Sequence, residues 1–169
     1  MGDRSNILIL TEKRPLPDGM TLVVGVEAYS HWGGVAAQLQ ALRGLEHHVD
    51  WSDDQDSCGA PGLDYTVRGV VRHFTAGDDA ALGSGVTPFA VETSSPDNLS
   101  WATGLMPDND GYPLVVIDIE KDKPGTHTVS AWEVNCFEGT ASLIRSEPLS
   151  YKSLKKFRTW YEDRMADDL

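Results

Sequence analysis

The order in which two hydrophobic periodicities follow one another constrains this chain more than any single motif. Residues 6–11 (NILILT) and 21–28 (TLVVGVEA) read as strands, with Pro15, Pro17, Asp18 and Gly19 breaking the chain between them. Together they predict a hairpin whose connection is longer than a two-residue turn. The period then changes. Val35, Leu39, Leu42 and Leu45 predict an amphipathic helix over 34–47, followed by a polar loop at 51–62. Leu63, Val67, Val70, Val71 and Phe74 form a second helical stripe, weakened by Gly69.

Strand signals return after the helix pair. They fall at 87–92, where Pro88 marks a strand start or an edge, and at 114–119 (LVVIDI), which reads as a central strand. Between them, 94–112 reads as a surface excursion, and Gly83-Ser84-Gly85 as a turn. Two more strands are expected at 126–134 and 135–144. Ser150 then caps a last helix, with Leu154, Phe157, Tyr161 and Met165 on one face and Trp160 and the Lys152, Lys155 and Lys156 cluster off it. Strands and helices segregate rather than alternate. The expected fold is therefore α+β: one domain over 1–169 with a mostly antiparallel sheet of about five to six strands. Two helices follow the first hairpin, and 150–169 form a C-terminal helix and tail.

Acidic residues outnumber basic ones by 26 to 14 in 169 residues, for a net charge of −12. A protein that neutralises nucleic-acid phosphates needs a basic face, so nucleic acid is not an expected partner. No apolar run reaches membrane-spanning length, so a membrane is not expected either. Cys58 and Cys136, without a CxxC motif, read as free thiols in a reducing, cytoplasmic setting, with a single disulfide between them as the alternative. No metal or cofactor is expected. His47-His48 lacks further ligands at defined spacing, His73 reads as a helix-surface residue, and the calcium-like run Asp54-Asp56-Gly59 carries Tyr65 where Glu is required.

The segment carrying chemistry is Tyr29-Ser30-His31-Trp32-Gly33-Gly34, at the predicted strand-to-helix junction. It sets a phenol, an imidazole and an indole beside helix N–H donors, with glycines that let a ligand approach. The bland account of the same residues is a structural turn, with Trp32 as a plug and His31 inert.

Together with the opening Gly2-Asp3-Arg4-Ser5-Asn6, this segment resembles a family of short, uncharacterised phage and bacterial proteins. Their chains open with Gly-Asp-Arg-x-Asn and carry a Tyr-Ser/Thr-His-Trp-Gly-Gly element. Trp51-Ser52-Asp53 is similar to the family's Trp-Asp loop, and Tyr65-Thr66-Val67-Arg68 to its second helix. The resemblance implies a site and a phage-associated setting rather than a reaction. Antiparallel pairing puts the start of the first strand beside the end of the second, so Asp3, Arg4 and Asn6 are expected near Tyr29 and His31. Arg4 and Arg68 suit a bidentate anion, and Tyr29, Trp32 and Trp51 a planar ring. With Gly33 they form the candidate ligand site for a nucleotide-like molecule. Asp3, Arg4, His31 and Arg68 are expected in one neighbourhood. Two other readings stand beside the binding module: an enzyme with His31 as acid/base and Asp3 orienting it, and a structural or virion-associated protein that works through protein partners.

Overall fold

The computed structural model describes residues 4–53, 63–75, 84–105, 111–120 and 127–168. Its single sheet has six strands: β1 (Ser5–Pro15), β2 (Thr21–Ser30), β3 (Ser84–Thr93), β4 (Leu114–Asp118), β5 (Thr128–Asn135) and β6 (Thr140–Pro148). Their order is β3-β2-β1-β4-β5-β6. β1 and β4 run parallel and every other pair is antiparallel, so the sheet is mostly antiparallel as expected. α1 (Gly34–Asp53) and α2 (Leu63–Phe74) follow the first hairpin, and α3 (Tyr151–Arg164) follows β6. No helix among the described residues is long and apolar enough to cross a membrane.

Where the two central strands pair, Ile7–Leu10 and Val115–Ile117 are apolar at every position, which fits burial on both faces. Ile7, Ile9, Val115 and Ile117 point to one face, where α1, α2 and α3 cover them through Leu39, Leu42, Leu45, Val70, Phe74, Leu154 and Phe157. Leu8, Leu10, Leu114 and Val116 point to the other, which is covered by much less: the 3-10 helix Leu99–Gly104, through Leu99 and Ala102. That helix lies inside the stretch expected to be a surface excursion. Asn98 caps it by accepting from the Ser100 amide at 3.0 Å, and six residues are too few to declare themselves by periodicity.

Several boundaries differ from expectation. The α1 helix runs through Trp51, Ser52 and Asp53 instead of giving way to a loop, since no Gly or Pro stands between Gly44 and Gly59. The rest of that loop, Cys58 included, lies outside the described residues. Ser84 and Gly85 belong to β3, paired with Ser30 and Tyr29, rather than to a turn; Pro88 is tolerated because β3 is an edge strand. The turn between β5 and β6 falls at 136–139, not at 134–135. Asn135 Oδ1 accepts from the Phe137 and Glu138 amides at 3.1 Å, and Gly139 supplies φ +66°.

The terminal helix is as the stripe predicts. Ser150 caps it, and Leu154, Phe157, Tyr161 and Met165 are buried while the three lysines are exposed. Trp160 is half-buried, with the Arg145 guanidinium 5.0 Å from its ring. Arg158 ties α3 to α1 by bonding Glu46 at 2.7 Å.

One polar side chain is built into this core. Gln38 on α1 is fully buried; its Nε2 donates to the carbonyls of Asn6 and Pro113, both at 3.0 Å, and its Oε1 accepts from the Tyr161 hydroxyl. Removing it takes a partner from three buried groups, with only the long 3.4 Å contact of the Tyr161 hydroxyl to the Pro113 carbonyl left in its place. Gln38→Ala should therefore cost about 2–5 kcal/mol in urea unfolding, against less than about 0.5 for the exposed Lys155→Ala.

Candidate functional site

Strand register decides which predicted site residues meet. Asn6 lies opposite Tyr29 and Ser5 opposite Ser30, so the start of β1 does sit beside the end of β2. Because Ile7 and Ala28 face the helices, alternation turns Asn6 and Tyr29 to the opposite face. Beyond them the Tyr29 hydroxyl bonds His31 Nδ1 at 2.8 Å, and the His31 ring meets Trp32 edge-on at 4.7 Å between centroids. The indole is thus held at one edge yet 52% exposed, at the entry to α1. Held aromatic surface in contact with water is what a stacking ligand needs.

Gly33 is a packing requirement. A side chain there would run into the Ser30 hydroxyl and come to 2.5 Å of the Ala37 methyl. Its carbonyl accepts the Ala37 amide at 3.0 Å, and Gly34 begins the helix at φ +47°. The amides of residues 34–36 precede this first intrahelical bond, as at any helix N-terminus. Arg4, half-buried, directly precedes β1 at this same end.

Arg68 and Trp51 do not join this group. Arg68 is exposed on α2, whose Val70 and Phe74 pack on the helix side of the sheet, the side away from Tyr29. The α2 helix also meets α1 through His73, whose ring would lie 2.5 Å from a Cβ at Gly44. Gly44 is about 15 Å along the helix axis from Gly34, and Arg68 comes five residues before His73 on the returning helix. The expectation of one neighbourhood therefore does not hold for Arg68. Trp51 is placed by its backbone in the last turn of α1, the end remote from Gly33. Asp3 lies outside the described residues.

A second site, which sequence reasoning missed, occupies the other end of the same face. A cavity of about 420 Å³ lies at the carboxyl ends of the parallel pair β1 and β4. Its wall holds an ion pair, Lys13 Nζ to Asp118 Oδ2 at 2.9 Å, with Asp97 Oδ1 at 3.6 Å from the same nitrogen. Burial lowers the Lys13 pKa, but the hydrogen bond and charge of Asp118, then the charge of Asp97, outweigh it and hold the ammonium above its ordinary value. Trp132 lines the cavity with its Nε1 donating to Ser130 Oγ at 2.9 Å. Among the described residues, no group of three or more His, Cys, Asp or Glu side chains is arranged to hold a metal ion.

No protein-family model, curated protein or solved structure matches this chain.

Glu27, opposite Leu8 on this face, has a buried carboxylate oxygen with no hydrogen-bond partner among the described residues. Burial pushes its pKa up. A raised folded-state pKa contributes stability below the unfolded value of 4.5 and loses it as pH rises through the folded value. Glu27→Gln should therefore gain stability relative to the wild type as pH rises above about 4.5, with no such gain below pH 4. Paired urea titrations at pH 3.5 and 7 measure this; a pH-independent difference would contradict it.

Proposed function

We propose that the protein is a binding module, a phage-type accessory protein that holds a small anionic, ring-bearing ligand of the nucleotide kind at the β2–α1 junction. The observation that carries this reading is Trp32: an indole held edge-on by His31, itself bonded to Tyr29, and left half in water beside a helix N-terminus. The indole supplies the stacking surface. The first amides of α1 and the Arg4 guanidinium are the groups suited to a phosphate. The phage setting rests on the resemblance in the opening residues and the Tyr-Ser-His-Trp-Gly-Gly element. The Tyr29–His31 bond also suits an imidazole oriented for proton transfer, which is the observation favouring an enzyme on the same ligand.

Thermal shift with AMP, ADP and GMP tests both readings. A ligand at one hundred times its Kd stabilises by about 2.7 kcal/mol, or about 5 °C or more for a chain of this size. Trp32→Ala, which removes a half-exposed side chain outside the core, should leave the unliganded melting temperature nearly unchanged and abolish most of the shift. A Trp32→Ala variant that keeps the full shift, or a wild type that shifts with none of the three, sinks the binding reading. Turnover of a nucleotide lost specifically in His31→Ala would replace it with the enzyme.

A further inference from the structure

We propose that the cavity at the carboxyl ends of β1 and β4 is a second ligand site, built for a neutral polyhydroxylated ring such as a mono- or disaccharide. The site is independent of the Trp32 junction.

The backbone builds it by departing from regular pairing. Leu10 lies opposite Gly25 and Glu12 opposite Val24, so Thr11 is an extra residue in β1 and its hydroxyl bonds the Val24 carbonyl at 3.2 Å. A bulge of this kind shifts the in–out alternation by one. Leu10 faces away from the helices, and without the bulge Glu12 would follow it there. With the bulge Lys13 takes that place, opposite Val23 and beside Asp118. The side chain selected for this wall is thus the one that pairs Asp118.

The wall chemistry then selects the guest. Lys13 and Asp118 keep only 17% and 19% of their side-chain surface exposed, and they set a strong donor and a strong acceptor side by side on the cavity. Such a pair contributes little to stability over an apolar pair of the same size, but it matches vicinal hydroxyl groups, each of which both donates and accepts. The Ser146 hydroxyl lies on the same wall. Trp132 has its one donor satisfied by Ser130, which leaves its apolar ring surface as its remaining means of contact. Leu143, 52% exposed, borders the ring on the neighbouring strand, so an apolar strip faces a polar pair. A sugar ring has that same division, with C–H groups on its faces and hydroxyls around its edge.

Other guests fit the described lining less well. Asp97, Asp118 and Glu120 against Lys13 give it a negative balance, which opposes a phosphate or carboxylate. An ammonium guest would have to displace Lys13, which is tethered at high effective concentration beside Asp118. At about 420 Å³ the cavity falls in the range of small-molecule sites.

The test is a ¹H–¹⁵N NMR titration of the full chain with maltose, cellobiose and N-acetylglucosamine to about 50 mM, the range of weak sugar affinities, with spermidine and AMP as counter-probes. The Trp132 indole signal is assigned from its loss in Trp132→Phe. The expected result is saturable movement of that signal and of the Val116 and Asp118 amides with at least one sugar, and none with AMP. Asp118→Asn should weaken the response about tenfold, the loss of one charge-assisted hydrogen bond. Ser146→Ala, at an exposed position that leaves the ion pair intact, should weaken it about threefold and serves if Asp118→Asn does not fold. No saturable movement with any sugar overturns the proposal. So does movement with spermidine alone, or a sugar response that is undiminished in the folded variants. AMP shifts confined to residues 29–34 bear on the junction and leave this result unaffected.

Discussion

One buried amide holds the ends of the two central strands together. Gln38 reaches down from α1 and divides its two N–H groups between Asn6, where β1 begins, and Pro113, just before β4. Parallel strands cannot be joined by a tight turn, and β1 and β4 are separated by nearly one hundred residues of chain. Their starts are therefore brought into line by tertiary contacts, and this side chain is one that touches both. The Tyr161 hydroxyl completes the node and brings α3 into it. Burial pushes the Tyr161 phenol's pKa upward, so it remains a neutral donor across ordinary pH.

The sheet that results is unequally covered. Three helices bury one face with leucine, valine and phenylalanine, and the polar groups fully buried there among the described residues include Gln38, the Tyr161 hydroxyl and the serine pair Ser5 and Ser30. Among the described residues the other face is covered over its middle by the short 3-10 helix Leu99–Gly104, and none of α1, α2 and α3 covers its ends. This inequality places the candidate chemistry. The Tyr29–His31–Trp32 group lies at one open end and the Lys13–Asp118 cavity at the other, on the face where a ligand need not displace a helix.

The sequence disclosed what local physics controls. The alternation of β2, the stripes of α1, α2 and α3 and the double-sided apolar run of β4 all follow from side-chain period, and they produced the α+β class. The junction was legible because Tyr29, His31 and Trp32 are neighbours in sequence and meet through short-range geometry. Arg68 was misplaced because helical period says which face of α2 it occupies but not how far α2 returns along α1. That distance is set by Gly44 admitting the His73 ring, a contact visible only in three dimensions. The cavity was illegible for a related reason. Lys13, Asp97, Asp118 and Trp132 are far apart in sequence, and a bulge at Thr11, which no composition signal marks, decides that Lys13 rather than Glu12 faces them.

The two open ends share one rod. β1 carries Asn6 at the junction and Lys13 at the cavity, about 20–25 Å apart along an extended strand. Between them, Ile7, Leu8 and Ile9 are fully buried and hydrogen-bonded to neighbours on both sides. A strand packed on both faces has one arrangement rather than two, and coupling between distant sites needs an element that can switch. A ligand at Trp32 would stabilise the fold as a whole without altering how Lys13 meets Asp118. The Thr11 bulge belongs to the cavity end alone, so the geometry that distinguishes one site is not transmitted to the other. β1 therefore offers one packed support between the two ends of the face.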